Sequence, residues 1–573
     1  MTPINYSRRP TVEVTVGRTA IGGANPIRLQ SMTSTSTMDT EGSAAQAIRI
    51  AEAGADLVRL TAQGVREAAN LTAIRGLMRE RGCDVPLVAD IHFNPRAAFE
   101  AAGRVEKVRI NPGNFADPGR TFKKLEYTDE EYACERARIT EALRPLIDIC
   151  KANDTALRIG VNHGSLSDRI MSRYGDTPEG MTESAMEYLR ACRELGFDRI
   201  VVSIKASNVG VMVETVRRVV AAMEAEDMHF PLHLGVTEAG NGEDGRVKSA
   251  VGIGTLLAAG LGDTIRVSLS EDPEAELPVA RKIVEHIARI ASAPAIDAPE
   301  VSNRNPFRPE RRESVATPVT EQGIEVAIAG GDKVPVVVAS DTDGAYREGR
   351  RPDVFAPRAD NLVEFDAGEI LRALPEIGAD KVVVITSSHP NFQGHVAAAI
   401  NKLILAGITN PVIVKLTADG NDADDAVVRA CINLGPLLLD GLADGLWIEP
   451  GTGMAEAGEA AGLAFAILQA TRRRITATEY IACPSCGRTL FDLQTTLARI
   501  KEATSGLKGL KIGVMGCIVN GPGEMSDADY GYVGAASGCV SLYKGKQCIV
   551  KNIPQEEAVD RLVELIKEEG DWK

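Results

Sequence analysis

The sequence contains no run of about 18 apolar residues free of charge, so we expect no membrane-spanning helix. Residues 1–10 lack the apolar segment of a signal peptide and are too few for a transit peptide, which predicts a cytoplasmic chain. Positive charge is in deficit, because 64 lysines and arginines face 79 aspartates and glutamates, giving a net charge of −15. Such a chain is a poor general binder of nucleic acid or of an anionic membrane, so any anion that it binds needs a local basic cluster.

Cysteine is also scarce, and two common cofactor motifs are missing. The 10 cysteines in 573 residues are too few for a disulfide scaffold. The three-cysteine signature of radical-SAM enzymes is absent, and no flavin- or nicotinamide-binding motif is found, since Gly252 and Gly254 lack the third glycine of a dinucleotide fingerprint. Six cysteines stand singly in ordinary segments, where a buried or inert thiol is expected: Cys83, Cys134, Cys150, Cys192, Cys431 and Cys548.

The first half of the chain alternates short apolar runs with stretches in which apolar residues recur at helical spacing. The runs are rich in Val, Ile and Leu without strict alternation, as in strands that are buried on both faces. Eight β-then-α units predict a TIM (β/α)8 barrel in an N-terminal domain of residues 1–290, with an extra strand at 11–17 that closes its bottom. The eight runs span 26–32, 56–61, 86–92, 107–112, 157–163, 199–206, 231–238 and 264–270.

Two further domains are expected after the barrel, so that the fold class is α/β with an α+β end. Prolines at 294, 299, 306, 309 and 318 predict an extended linker, followed by more strand-like and helix-like stretches. Because their strand ends lack a comparable set of charged residues, we interpret 291–477 as a linker plus a structural α/β insert domain, with a partial or degenerate barrel as one option. Residues 478–573 form a C-terminal α+β domain with the cysteine motif, a Gly-rich hairpin region and a closing amphipathic helix.

The cysteine motif consists of Cys483-Pro-Ser-Cys486, followed by Cys517 after about thirty residues. Two cysteines at this spacing can hold one metal ion or two corners of an iron–sulfur cluster, and the glycines beside Cys486 and Cys517 let the backbone approach closely. A zinc site of four cysteines would also need Cys539, at an awkward spacing. A structural zinc site and a thioredoxin-like pair stay open as alternatives to a cluster.

The cysteine pair, the third cysteine and residues 516–524, Gly-Cys-Ile-Val-Asn-Gly-Pro-Gly-Glu, resemble the signature of the 4-hydroxy-3-methylbut-2-enyl diphosphate synthase family. The resemblance implies a [4Fe–4S] cluster held by three cysteines and one glutamate, here Cys483, Cys486, Cys517 and Glu524. A carboxylate is a hard and exchangeable ligand, so one iron can trade it for a substrate oxygen, whereas four thiolates would leave no such opening.

Polar residues stand at the ends of the predicted barrel strands, where the active site of a TIM barrel lies. Five strands deliver a cation to this mouth of the barrel, and arginine forks suit phosphate oxygens. Segments 88–92, 109–113, 158–162, 203–207, 234–240 and 262–268 look like blocks of the same family. The resemblance implies that one set of residues holds a diphosphate: Arg59, Arg109, Arg158, Lys205, Arg266 and Ser268. A second, catalytic set would face the carbon skeleton, with the last as proton donor to the departing hydroxyl: Asp90, His92, Asn162 and Glu238.

The resemblance covers about 1–290 and 478–550, and the insert is similar to that of the longer, three-domain form of plants and some bacteria. It implies reductive opening of 2-C-methyl-D-erythritol 2,4-cyclodiphosphate to (E)-4-hydroxy-3-methylbut-2-enyl diphosphate in the non-mevalonate (MEP) isoprenoid pathway. Because the chain has no nucleotide motif of its own, flavodoxin or ferredoxin is the implied electron donor. Shorter family members pair head to tail, which implies a homodimer as an option here.

Two other functions stay open on the residues alone. A barrel synthase or aldolase for a phosphorylated substrate, with a zinc-stabilised tail, explains the cations but leaves Glu524 without a role. A non-catalytic iron–sulfur carrier explains the cysteines but leaves the polar barrel mouth unused. Colour discriminates between them, because a cluster protein purified without oxygen is brown and a zinc protein is colourless.

Overall fold

The computed structural model describes residues 2–117, 125–298, 304–347, 349–518, 521–525 and 527–572, so Val519 and Asn520 of the cysteine motif lie outside the described residues. The chain divides into two compact units. One consists of Met1–Arg8, Arg246–Leu261 and Arg281–Ala477, and the other of Arg9–Gly245, Gly262–Ala280 and Thr478–Lys573. The domain boundaries expected from the sequence, after residues 290 and 477, stay a prediction.

Eight parallel strands close into a barrel, which confirms the expected TIM barrel. Every residue of the fourth to ninth strands is buried, because helices cover the outer face and side chains fill the interior. In the closed order, β10 pairs with both β3 and β9. The strands are β3 (Arg28–Met32), β4 (Leu57–Thr61), β5 (Leu87–Asp90), β6 (Lys107–Ile110), β7 (Ala156–Asn162), β8 (Ile200–Lys205), β9 (Leu232–Leu234) and β10 (Thr264–Ile265).

A hairpin precedes the barrel, in place of the single extra strand that the sequence predicts. Strand β1 (Val14–Val16) pairs antiparallel with β2 (Thr19–Ile21). Their side chains Val14, Val16 and Ile21 share a buried apolar cluster with residues near the beginnings of four barrel strands. The hairpin therefore covers the amino-terminal end of the barrel and leaves the carboxyl ends of the strands for a site. The four barrel residues are Leu57, Val88, Ala156 and Val201.

Helices follow the barrel strands, and short polar residues begin several of them. Asp39, Ser167, Thr177 and Asn208 each accept a hydrogen bond from the backbone of the first turn, which satisfies an otherwise free amide. The helices are α1 (Thr40–Glu52), α2 (Val65–Glu80), α3 (Pro95–Ala102), α4 (Asp129–Asn153), α5 (Asp168–Tyr174), α6 (Pro178–Glu194), α7 (Val209–Ala225), α8 (Gly242–Ala258) and α9 (Glu276–Ala291).

The insert has an open sheet of six parallel strands and not a partial barrel, in the order β14-β13-β18-β17-β16-β15. A hairpin of β11 (Thr317–Glu321) and β12 (Ile324–Ala329) precedes it. The sheet strands are β13 (Val336–Ala339), β14 (Val354–Phe355), β15 (Leu362–Asp366), β16 (Val382–Thr386), β17 (Val412–Thr417) and β18 (Gly445–Glu449). The helices are α10 (Ala367–Arg372), α11 (Phe392–Leu405), α12 (Ala423–Leu439) and α13 (Ala457–Ala470).

Gly254 of α8 lies close to a neighbouring helix. A Cβ atom at Gly254 would lie 2.5 Å from Cγ1 of Ile432 in α12, closer than side chains approach one another. Within its unit, this glycine therefore allows two helices to pack tightly.

The C-terminal region is an α+β domain, as expected. Its sheet runs β19-β20-β21-β22-β23, parallel across the first three strands and antiparallel thereafter. The strands are β19 (Glu479–Ala482), β20 (Lys511–Met515), β21 (Tyr530–Ala536), β22 (Cys539–Lys544) and β23 (Gln547–Pro554). The helices are α14 (Leu493–Thr504), α15 (Gly521–Glu524) and α16 (Gln555–Glu568), of which α14 and α16 pack on one face of the sheet. Across the described part of the chain, no helix is both long and apolar enough to cross a membrane.

Candidate active site

One cavity collects every site residue expected from the sequence. The ten barrel residues and the four residues of the cysteine motif all line it, around about 690 Å³ of space not filled by atoms. Most of the barrel residues lie at or just beyond the carboxyl ends of their strands, whereas Arg59 and Arg158 lie further back, within β4 and β7. The cysteines follow β19 and β20 of the C-terminal domain. A single chain therefore contributes both walls of the cavity.

The barrel wall is crowded with cations that have little compensation. Burial lowers the pKa of Arg59 to about 10 and also lowers the pKa values of Arg158 and Lys205, which stand close to one another. Arg158 is 1% exposed, and its Nε and Nη1 atoms have no hydrogen-bond partner among the described residues. The same holds for Oγ of Ser268. Buried donors without partners are costly, so this wall is built for an anion that accepts several hydrogen bonds.

Arg109 is held at the centre of a polar network. Its Nη1 donates to Oδ1 of Asp90 at 3.2 Å, and its Nη2 donates to the Gly160 carbonyl at 2.9 Å and to Oδ1 of Asn162 at 3.1 Å. A Cβ atom on Gly160 would lie 2.5 Å from Nε of Arg109, so only glycine leaves room for this side chain. Arg109 also contacts Nε2 of His92.

Burial and the charge of Arg109 determine the charge states of Asp90 and His92. Burial alone would raise the pKa of Asp90, but Arg59 and Arg109 hold the pKa well below its ordinary value, so Asp90 is a carboxylate. Burial, with Arg109 next in importance, lowers the pKa of His92 to about 3. His92 is therefore a neutral imidazole at physiological pH, which suits a hydrogen-bonding role better than a charge-bearing one.

Glu238 stands where the barrel meets the C-terminal domain. Its backbone is in the left-handed region, with φ at 50°, which is uncommon for a residue other than glycine and often marks a functional position. The side chain is 3% exposed and lies within hydrogen-bonding reach of Glu524. Burial, followed by the nearby Glu524 carboxylate, raises the pKa of Glu238 well above its ordinary value, which favours the protonated form of this carboxyl group.

The C-terminal wall presents three sulfur atoms and one carboxylate. The backbone N–H of Gly516 donates to Sγ of Cys483 at 3.2 Å. Burial raises the pKa of Cys483, while Arg488, acting against burial, lowers the pKa of Cys486. Oε1 of Glu524 accepts a hydrogen bond from Nδ2 of Asn162 at 2.6 Å.

These four side chains fit an iron–sulfur cluster by their chemistry and by their placement around a cavity. Within the described ranges, no three His, Cys, Asp or Glu side chains are grouped closely enough to hold one metal ion. A [4Fe–4S] cluster does not require three side chains around one metal ion, because each of its four irons takes its own protein ligand. The N–H donor on Cys483 is also of the kind that tunes cluster sulfur ligands.

Hydrogen bonds between residues 482–483 and the barrel hold the two walls together, and we call this contact the seam. Ala482, next to Cys483, donates its N–H to the Glu238 carbonyl at 3.3 Å, and Ser270 Oγ donates to the Cys483 carbonyl at 2.8 Å. Ala239 and Ala482 form a parallel bridge. Glu238 and the first cysteine are therefore fixed by the same seam.

Gly487 lies so close to the barrel backbone that a larger residue would not fit. A Cβ atom on Gly487 would lie 2.6 Å from the Thr35 carbonyl oxygen of the barrel. We expect Gly487→Ala to push the cysteine loop off the barrel, so that substrate KM rises roughly tenfold while iron content stays unchanged, as a small displacement of positioned groups is costly. Gly506→Ala, in the same domain but with no atom within 4 Å of its added Cβ, is the matched control. Equal KM values for the two variants would contradict a role for the close approach.

Two residues that matter for the cavity were not found from the sequence. Glu276 of α9 accepts hydrogen bonds from Nε and Nη2 of Arg266 at 3.0 and 2.8 Å and from Ser31 at 2.7 Å. It therefore fixes one arginine of the cationic barrel wall, which we call the cup. Arg488 lines the cavity between the cysteines and Asp90. Glu276 stands in a helix away from any strand end, so no sequence signal marks it. Arg488 follows the cysteine pair by two residues and could have been found there.

Family comparisons agree with this architecture. A model described as the GcpE TIM-barrel domain matches residues 11–281, and a model described as the GcpE protein C-terminal domain matches residues 479–568. The first match spans the barrel, and the second spans nearly all of the domain that contributes the cysteines.

Curated relatives are similar over the whole length, including the insert. They are named 4-hydroxy-3-methylbut-2-en-1-yl diphosphate synthase (flavodoxin). The protein from Parabacteroides distasonis is 53% identical, with 100% of both chains covered. That from Bacteroides fragilis (strain ATCC 25285) is 53% identical over 99% of this chain and 97% of its own. That from Akkermansia muciniphila is 45% identical over 100% of this chain and 98% of its own.

Proposed function

The chain belongs to the GcpE family, and from this premise we propose that it converts 2-C-methyl-D-erythritol 2,4-cyclodiphosphate to (E)-4-hydroxy-3-methylbut-2-enyl diphosphate. Two electrons and two protons enter, one ring C–O bond breaks, and one hydroxyl leaves as water. The product belongs to the non-mevalonate (MEP) route to isoprenoids. The observation that carries the proposal is the single cavity in which a cationic barrel mouth faces three cysteines and Glu524.

The diphosphate is proposed to lie in the cationic cup. An anion there would accept hydrogen bonds from the buried donors of Arg158 and Ser268 that have no partner among the described residues. It would also offset the mutual repulsion of Arg59, Arg158 and Lys205, which favours tight binding in a chain of net charge −15. The proposed diphosphate-binding residues are Arg59, Arg109, Arg158, Lys205, Arg266 and Ser268.

The cysteine wall is proposed to hold a [4Fe–4S] cluster through Cys483, Cys486, Cys517 and Glu524. When bound, such a cluster supplies electrons one at a time at low potential, which amino-acid side chains cannot do. The chain's own contribution is to bring this wall over the cup and to keep water out of the space between them. The seam between Ala482 and Glu238 supports that arrangement.

The remaining polar residues are proposed to act on the carbon skeleton. Glu238 is buried, has a raised pKa and contacts the cysteine seam, so it is our candidate for the group that gives a proton to the departing hydroxyl. Asp90 and neutral His92 fix Arg109 and can orient substrate hydroxyls. Asn162 joins this set, and its contact with Glu524 is considered below.

Electrons are proposed to come from a separate protein. The names of the relatives specify flavodoxin, and we propose flavodoxin for this chain, with ferredoxin as the other one-electron carrier of suitable potential. A homodimer and a cytoplasmic location stay predictions. Both walls of the cavity come from one chain, so the site itself does not require a second copy.

The test is turnover without oxygen. Protein purified anaerobically should be brown, contain iron and sulfide, and convert the cyclic diphosphate to the linear allylic diphosphate with an artificial one-electron reductant. A colourless zinc protein would favour the barrel synthase or aldolase instead. A brown protein that neither binds nor converts the cyclic diphosphate would favour an iron–sulfur carrier. Either result would overturn the proposed function.

A further inference from the structure

A partly buried hydrogen bond ties the proposed exchangeable ligand to the barrel. Nδ2 of Asn162, at the end of β7, donates to Oε1 of Glu524, at the end of α15, over 2.6 Å. Asn162 is 6% exposed and Glu524 is half-buried, so water has limited access to this bond. A hydrogen bond to a charged acceptor in such a place is stronger than one between neutral groups.

The orientation of the Asn162 amide is set by its neighbours. Nη2 of Arg109 donates to Oδ1 of Asn162, which makes that atom the acceptor and leaves the NH2 group to face Glu524. Arg109 is itself fixed by Asp90 and by the Gly160 carbonyl. The path Asp90–Arg109–Asn162–Glu524 therefore presents one donor to the carboxylate, with no freedom for the amide to flip.

Two further barrel residues interact with Glu524. One is Glu238, whose carboxyl group lies beside it. Arg109 contributes a favourable charge from behind Asn162. A carboxylate that lost its metal bond here would need a donor close by, and Asn162 is already within hydrogen-bond distance.

We propose that Asn162, oriented by Arg109, is a positioning residue that holds the Glu524 carboxylate and thereby sets how readily it gives way to a substrate oxygen. The inference rests on the proposed function, because it takes Glu524 as a cluster ligand. It assigns the Asn162 amide to the protein's own carboxylate, whereas the family resemblance placed this residue against the carbon skeleton of the substrate.

Removal of the donor has two expected effects. Without the hydrogen bond, Glu524 is a stronger electron donor, so the midpoint potential of the cluster in Asn162→Ala shifts to a more negative value than in the unmodified protein. A displaced Glu524 also loses its partner, so the Kd for the cyclic diphosphate rises about tenfold or more. Asn162→Asp gives larger effects of the same sign, because it places a carboxylate against Glu524.

The experiment uses anaerobic holoprotein and measures iron and sulfide content, the midpoint potential by titration with electron paramagnetic resonance, and the Kd for the cyclic diphosphate. Asn114→Ala is the matched control, since Asn114 is a buried amide at the same end of the barrel that does not line the cavity. We expect full cluster content in all variants, with midpoint and Kd changed only at Asn162. If Asn162→Asp does not fold, Asn162→Ser, which keeps a shorter donor, should shift both values less than Asn162→Ala does.

The inference is overturned if the Asn162 variants have the same midpoint potential as the unmodified protein and Asn114→Ala. It is also overturned if Asn162→Ala and Asn162→Ser differ from the unmodified protein only in thermal stability. Failure of the proposed function would look different, because the unmodified holoprotein would then not bind the cyclic diphosphate. The midpoint comparison needs no substrate and still tests Asn162 in that case.

Discussion

Cys517→Ser is expected to lose iron, sulfide, brown colour and turnover together. Serine offers a hard oxygen in place of a soft thiolate, and cluster irons prefer thiolates. Cys517 follows β20 and lines the cavity with Cys483 and Cys486, so the two remaining cysteines cannot complete a cluster. We expect turnover to fall by more than the roughly 10- to 100-fold that changes around a metal site cost when the ligands themselves remain.

The matched control is Cys539→Ser, in the same domain. Cys539 begins β22, is half-buried like Cys517, and does not line the cavity. It is also the cysteine that a four-cysteine zinc site would need. Normal iron content in Cys539→Ser together with no iron in Cys517→Ser would support the cluster. Zinc that is bound by the unmodified protein and lost from both variants would contradict it. Circular dichroism of Cys517→Ser checks that the barrel remains folded.

The barrel could be predicted from the sequence because its physics is local and repeated. A parallel strand covered by helices outside and side chains inside is an apolar run in the sequence, and eight such runs occur between residues 26 and 270. The mouth follows from the same reasoning, because a residue at the end of a run must lie at the carboxyl edge of a barrel strand. Asn162, Lys205 and Glu238 were found in this way.

Contacts between distant segments could not be predicted, because no periodicity records them. Nothing in the spacing of residues says that Asn162 meets Glu524, which is 362 residues away, or that Ser270 holds the Cys483 carbonyl. For the same reason the sequence did not decide whether the C-terminal domain closes on its own barrel. The open sheet of the insert was also ambiguous, since buried parallel strands look alike in an open sheet and in a barrel.

The two sides of the cavity divide the electrostatic work. Burying the cations of the cup costs free energy, because they lose their contact with water. Their partners within the barrel are few, chiefly Asp90 and the Glu276 carboxylate on Arg266. The opposite wall holds acidic groups, Glu524 and the thiols. A diphosphate would balance the first wall, and bound iron would balance the second. Each wall thus gains stability when its own ligand is bound.

Glu238→Gln should separate binding from chemistry. Glutamine has nearly the same shape and pays the same conformational cost at φ 50°, but it has no acidic proton to give. Loss of a general acid costs about 10² to 10⁴ in rate, so kcat should fall by that factor. Iron content should be normal and the Kd for the cyclic diphosphate should change by no more than about twofold, because Glu238 is not in the cationic cup.

The control for this substitution is Glu214→Gln, which removes a similarly buried carboxyl group. Glu214 lies on α7, pairs with Arg218 at 2.9 Å and does not line the cavity. Single-turnover measurements on cluster-loaded protein separate the chemical step from product release. A normal single-turnover rate in Glu238→Gln would exclude Glu238 as the proton donor. A raised Kd with an unchanged rate would instead assign Glu238 to substrate binding, because only a group needed in the transition state lowers the rate once substrate is bound.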